Sequence, residues 1–187
     1  MSYRIYQTEG IILSKKDIGE ADRIFSILTQ EFGRIDAIAQ GVRHIKSKLR
    51  YNLNNFSHSR IGLTMSGDLW RIIDAEELSD WTNIRNNPQK LAAVSRIAEL
   101  INRMVRGQEP DFDLWDEVKN ALAFLEKQDF NGKDLRIFEL LTGLRILSRL
   151  GYAEEHKKWL NLQLKEAENM EFFMVSAINK AFQESQL

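Results

Sequence analysis

Glu20 and Asp22, in the run GEADR (19–23), are two carboxylates at i and i+2 that could hold Mg²⁺ if other ligands joined them. Placed after Gly19, the same pair suits a turn, where it accepts backbone N–H bonds or pairs with Arg23; that reading carries more weight. The histidines, His44, His58 and His156, lack metal-ligand spacing, and there is no cysteine. Cysteine-based zinc and iron–sulfur sites are therefore excluded, and no metal or other cofactor is expected. Neither a G-x-S-x-G elbow, a Walker A loop nor a G-x-G-x-x-G turn occurs. The chain is expected not to be an enzyme.

The stronger chemical signal is AQGVRHIKSKLR, Ala39 to Arg50, with four basic side chains, one histidine and no acid. No acid occurs between Asp36 and Asp68, a window holding Arg43, Lys46, Lys48, Arg50 and Arg60 with His44 and His58. Residues 1–80 carry 4 Lys and 7 Arg against 11 acids, so they are neutral overall but segregated in charge. A basic side on a neutral domain is the footprint expected for a polyanion, whereas a solvated face is the ordinary fate of a charge run. As extended chain, His44, Lys46, Lys48 and Arg50 point one way and Ile45, Ser47, Leu49, Tyr51 and Leu53 the other. As helix, Ile45, Leu49 and Leu53 form an i, i+4, i+8 stripe opposite Arg43, Lys46 and Arg50. Either geometry buries the apolar set and gathers the cations. Tyr51, Phe56 and Trp70 lie in or near this region, and a base stacked on such a ring gains about 1–3 kcal/mol. Trp70 fits the core at least as well as it fits a stacking platform.

The elements that must position these residues change type along the chain. Residues 4–16, 23–30, 34–42, 59–65 and 69–78 predict five strands with turns at 32–33 and 66–68. Ile61, Leu63 and Met65 share one face of the fourth. Five short strands with one long connection, about 43–58, suggest a Greek-key barrel of the OB type. After Trp81 the period becomes 3.6. Leu91, Val94, Ala98, Ile101 and Val105 form one stripe, with Gly107 as a stop. A second helix starts at Asp113 as N-cap and buries Leu114, Val118, Leu122 and Leu125. A third, from 134 to 150, is apolar around most of its circumference and so belongs at the centre. Two further helices are expected, EEHKKWLNLQLKEAE and MEFFMVSAINKAFQES. The expected architecture is a two-domain α+β chain: an OB-type barrel over 1–80 and an all-α antiparallel bundle over 81–187. The 187 residues carry a net charge of −1 and no run long enough to span a membrane. No secretory signal is visible, and with no cysteine a reducing, cytoplasmic location is expected.

The run TEGIILSKKDIGEADRIFSILTQEFGRIDAIAQGVRHIKSKLRYNLNNF, Thr8 to Phe56, resembles the N-terminal region of the bacterial recombination and repair mediator family RecO. The pieces GEADRI, LTQEFGRI and AIAQGVRHIKSKL, then Leu53 and Phe56, match in order and spacing. FELLTGLRILSRLGY (138–152) is similar to a helix that precedes a zinc-binding segment in many relatives. The resemblance implies an OB fold followed by a helical domain. It also implies binding of single- and double-stranded DNA, strand annealing, and help in loading RecA on SSB-coated DNA with RecR. A nucleoid-associated protein would follow. Arg43, Lys46, Lys48 and Arg50 then become DNA-contact candidates, joined by Arg34 and Arg23 of GRI and DRI, by Arg60 and by Tyr51. The acidic SSB C-terminal tail maps to a region holding Arg145, Arg149, Lys157 and Lys158, though ordinary solvated charges would look the same. Many relatives carry a Cys-x-x-Cys pair that is missing here, so the resemblance implies a zinc-free form, shorter at its C-terminus. The alternatives are an OB-fold protein–protein adaptor with incidental DNA affinity and, more remotely, a Mg²⁺-dependent nuclease using Glu20 and Asp22.

Overall fold

The computed structural model describes residues 4–79, 81–153 and 156–185, without the side chains of His156 and Lys157. The chain divides into two compact units: residues 1–80 with 106–112, and residues 81–105 with 113–187.

The first unit is a closed barrel of β1 (Ile5–Ile18), β2 (Asp22–Thr29), β3 (Gly33–Ala39), β4 (His58–Ser66) and β5 (Leu69–Ser79). Around the barrel the order is β1-β2-β3-β5-β4, antiparallel except for β3 against β5, which is the OB arrangement. Closure depends on β1, which pairs with β2 along one edge and β4 along the other. At Gly10 the strand passes over the interior: a Cβ there would lie 2.8 Å from both Ile27 and Ile61. Period-2 alternation sends Ile12, Phe25, Ile27, Ile35, Ala37, Ile61, Leu63 and Ile72 into one buried cluster.

Trp70 belongs to that cluster at 4% exposure. Its ring meets Tyr6 and Phe32 at 5.3 and 5.1 Å, and its indole N–H donates to Gln108 Oε1 at 3.0 Å. It is core and no stacking platform. Its neighbours Leu69 and Ile73 face out, with the half-buried Arg71 between them. Met65 departs from the expected face; it is exposed where β4 runs past the core, while Ile61 and Leu63 are buried. The 106–112 segment closes on the barrel at Gly33, whose φ is +61° and where a Cβ would lie 2.3 Å from the Glu109 carbonyl oxygen. Glycine is thus required there twice over, by backbone conformation and by contact.

Between β3 and β4 the chain makes turns and then the short helix α1 (Leu49–Asn52). Neither expected burial pattern holds throughout. Leu53 is buried and Leu49 packs on the barrel core, but Ile45 is 81% exposed. Successive three-residue turns, with His44 N–H to Gly41, Ser47 N–H to His44 and Arg50 N–H to Ser47, put Ile45 out of phase with the helix that follows.

The second unit holds α2 (Thr82–Asn86), α3 (Pro88–Met104), α4 (Phe112–Lys127), α5 (Gly132–Arg149), α6 (His156–Asn161), α7 (Leu164–Ala167) and α8 (Glu171–Glu184). The expected stripes bury Val94, Ala98 and Ile101 on α3, and Leu114, Val118, Leu122 and Leu125 on α4. α5 is central, touching α3, α6, α7 and α8, which is why apolar residues surround it. Asn131 caps it, accepting from the Lys133 and Asp134 N–H groups. Asp113 lies within the first turn of α4 instead of at its cap. The single helix expected over EEHKKWLNLQLKEAE is two, α6 and α7, with Gln163 and Glu166 forming a capping box that starts the second. Glu154 and Glu155, at the start of that run, lie outside the described residues. Among the described residues no helix is long and apolar enough to cross a membrane.

Candidate nucleic-acid interface

The basic segment is held at both ends by the barrel. At its start, Gly41 N–H donates to Asp22 Oδ1 at 2.8 Å and Arg43 N–H to the Ala21 carbonyl at 3.0 Å. At its end, Asn52 Nδ2 donates to the Ala75 carbonyl, Leu53 is buried, and Phe56 N–H bonds the Ile12 carbonyl. Between these anchors Lys46, Lys48 and Arg50 are exposed and make no ion pair among the described residues. Tyr51 follows them, 67% exposed. Three unneutralised cations and an open aromatic ring on an anchored loop can bind phosphates and stack a base at once.

Four other barrel cations, Arg23, Arg34, Arg43 and Arg60, are engaged internally. Asp17 holds two of them: Arg23 Nε at 2.6 Å and Arg43 Nε at 3.4 Å. Arg43 also donates to the Gly19 carbonyl at 3.0 Å. The Arg23 hydrogen bond, with the charges of Arg23, Arg43 and Lys15, holds the Asp17 carboxyl below the usual carboxylate range. Burial and the nearby Arg23 pull the Lys15 ammonium below its ordinary value. Arg34 donates to Ser26 Oγ and Asp36 on the outer face of β3. Arg60 stands directly across from Glu76 in the β4–β5 ladder, at 2.9 Å. The acid-free window is therefore not acid-free in space, because strand pairing carries distant acids back to it. His58 likewise leaves the basic set: it is buried between Ser79 Oγ and Glu9 Oε2, each 2.9 Å from a ring nitrogen.

Asp22, the more buried of the two acids first considered for Mg²⁺, accepts the Gly41 N–H as a turn carboxylate does. Among the described residues no group of three or more metal-ligating side chains is assembled.

The comparisons with known proteins agree with this architecture. Residues 1–80 match the family model for the Recombination protein O N terminal, and residues 85–156 match that for the Recombination protein O C terminal. The chain belongs to the RecO family. It is similar to the DNA repair protein RecO of Acetivibrio thermocellus, 29% identical over 148 residues, covering 79% of this chain and 57% of that one. The RecO of Heliobacterium modesticaldum is 31% identical over 152 residues, covering 81% of this chain and 54% of that one. That of Gloeothece citriformis is 32% identical over 125 residues, covering 67% and 44%. The chain thus spans about half the length of the curated relatives it matches.

In the helical unit of this RecO-family chain, Arg145 and Arg149 face inward. Arg149 donates to Glu117 Oε2 at 3.0 and 3.2 Å, and Arg145 lies 3.6 Å from Glu117 Oε1. Arg145 also donates to the Leu162 carbonyl at 2.8 Å, tying α5 to the chain after α6. Lys158 is exposed over the Trp159 ring, at 4.9 Å, and the Lys157 side chain lies outside the described residues. Sequence patterning therefore named Arg145 and Arg149 but could not see Glu117 as their common partner. Nor could it see Asp17, which decides how much of Arg23 and Arg43 is free.

Proposed function

We propose that this chain acts in DNA repair and recombination as a non-enzymatic mediator. It binds single- and double-stranded DNA through the Lys46–Tyr51 loop and anneals complementary strands. It helps load RecA on SSB-coated DNA together with RecR. The observation that carries this reading is the set Lys46, Lys48 and Arg50, exposed and without an ion pair among the described residues, beside Tyr51 on an anchored loop of an OB barrel. Lowering the repulsion between two phosphate backbones needs cations in place and no chemical step, which suits annealing. Arg43 joins the loop cations where phosphate competes with Asp17; Arg23, Arg34 and Arg60 contribute less, each having an internal carboxylate partner.

The test is a fluorescence titration with single- and double-stranded DNA across a salt series. Each phosphate-contacting cation among Arg43, Lys46, Lys48 and Arg50 changed to alanine is expected to flatten the log–log salt slope by roughly 0.7–0.9. An unchanged affinity and slope in the quadruple variant would remove these residues from the interface.

The acidic SSB tail is proposed to bind the helical unit, where Arg145 stands at the edge of an apolar groove of about 320 Å³ with Phe124, Phe138, Leu141 and Leu164. The internal pairing of Arg23, Arg34 and Arg60 favours a second reading, an adaptor whose barrel binds proteins. No DNA binding at tens of micromolar protein and about 100 mM salt would decide for it.

A further inference from the structure

The loop after β3 sends its aliphatic residues inward with one exception. Val42 and Leu53 are buried, and Leu49 packs on the barrel cluster. Ile45 is 81% exposed, the most open large hydrophobic side chain among the described residues. Its position is fixed by the backbone. Ser47 N–H donates to the His44 carbonyl at 3.0 Å, which puts Ile45 and Lys46 at the two corners of a tight turn. The turn before it, closed by His44 N–H to the Gly41 carbonyl at 3.1 Å, starts from Gly41, whose own N–H is held by Asp22. Turn corners ordinarily take Gly, Pro, Asn, Asp or Ser. A branched aliphatic side chain there breaks the local rule, and such breaks gather where a chain meets a ligand.

We propose that Ile45 is a wedge, which enters between adjacent bases of a single DNA strand whose phosphates lie on Lys46, Lys48 and Arg50. The inference rests on the DNA-binding reading above and adds what the loop does to the bases. Aliphatic side chains open base steps in this way elsewhere. A side chain branched at Cβ is stiff about χ1, so it stays presented at the corner of its turn. Opening a step costs least in a single strand, where no base pair has to break, so the wedge favours single strands over duplex. The surroundings suit a polyanion. Lys46 shares the turn with Ile45, and neither it, Lys48 nor Arg50 has an ion pair among the described residues. Arg43 is held by Asp17 and counts for less. Tyr51, six residues on and 67% exposed, offers a ring on which a further base can stack. Bases splayed over neutralised phosphates present their pairing edges to a second strand, which is what annealing needs.

Titration of the full chain against a short single-stranded oligo-dA carrying 2-aminopurine, across a salt series, tests this. Stacked adenines quench the probe and an aliphatic neighbour does not, so binding of the wild type is expected to brighten it. Ile45→Ser should lose the brightening and weaken binding roughly tenfold at every salt concentration, as burial of one aliphatic side chain implies, with the log–log slope unchanged. Binding to duplex should change by much less, and Ile45→Met should keep both the brightening and the affinity. The side chain is exposed, so circular dichroism and the melting temperature should not move. Lys46→Ala should flatten the slope instead. If Lys46→Ala flattens the slope while Ile45→Ser alters neither affinity nor fluorescence, the wedge is overturned and the DNA-binding reading stands. A flattened slope in Ile45→Ser also overturns it, because the residue then acts through the cations. A wild-type chain that binds no DNA overturns both. An Ile45→Ser chain unchanged on DNA but less self-associated in sedimentation gives the side chain to a protein contact instead.

Discussion

Among the described residues, Lys46, Lys48 and Arg50 differ from Arg60 in having no carboxylate to leave behind. Removing Arg60 also frees Glu76, its partner at 2.9 Å, so the local charge becomes more negative while one direct phosphate contact at most is lost. Alanine at Lys46, Lys48 or Arg50 should therefore flatten the salt slope of DNA binding by roughly 0.7 each, and Arg60→Ala should change the slope by much less. Asp17 offers the opposite lever. Asp17→Asn removes the charge shared by Arg23 and Arg43, and should tighten binding to single-stranded DNA at low salt, as a DNA titration would read. The same carboxyl sets an acid limb. Its pKa is lowered in the folded chain, so its contribution to stability is complete above the ordinary Asp value of about 3.9 and is lost as pH falls through the lowered value. Denaturation of the wild type and Asp17→Asn should differ at neutral pH and converge in acid.

At the scale of elements, Glu117 on α4 decides what Arg145 and Arg149 on α5 can do. It is largely buried, accepts from the Arg149 guanidinium and pairs with that of Arg145 at 3.6 Å. Glu117→Gln should loosen α4 against α5 while releasing Arg145 at the edge of the proposed tail groove; Arg149 keeps Asp113 at 3.7 Å. An acidic tail peptide should then bind more tightly, by isothermal titration, even as the melting temperature falls. The two effects have opposite sign, which separates a recognition role from a bracing one. The loop after β3 is a second case. Leu53 seats its far anchor in the barrel, and Leu53→Ala should cost about 2–5 kcal/mol of unfolding free energy by the cavity it leaves.

At the scale of the molecule, Gly33 joins the barrel strands to residues 106–112, a segment distant in sequence. Alanine there meets a φ of +61° and a backbone oxygen at 2.3 Å. The conformation alone costs roughly 1–2 kcal/mol, and the contact adds to it. Gly33→Ala should lower the thermal midpoint and increase amide exchange at Trp70 and over 106–112, because Gln108 can no longer hold the indole N–H.

The five strands, the central α5 and the apolar stripes of α3 and α4 were legible in the sequence, because period 2 and period 3.6 are local properties of a chain that must bury one face. The OB arrangement followed from strand count and the long third connection, sharpened by the RecO-like run. The basic loop was legible as composition, since four cations within eight residues need no partner to be counted. Tertiary structure decided which of the cations remain available. Pairing β4 with β5 set Glu76 against Arg60, and the β1–β2 hairpin set Asp17 beside Arg23 and Arg43. It also removed His58 and Trp70 to the interior and left Ile45, which the spacing would bury, in solvent. The physical reason is common to all of these: a side chain's type is fixed by the chain, but its neutralising partner and its exposure are set by residues that only folding brings near.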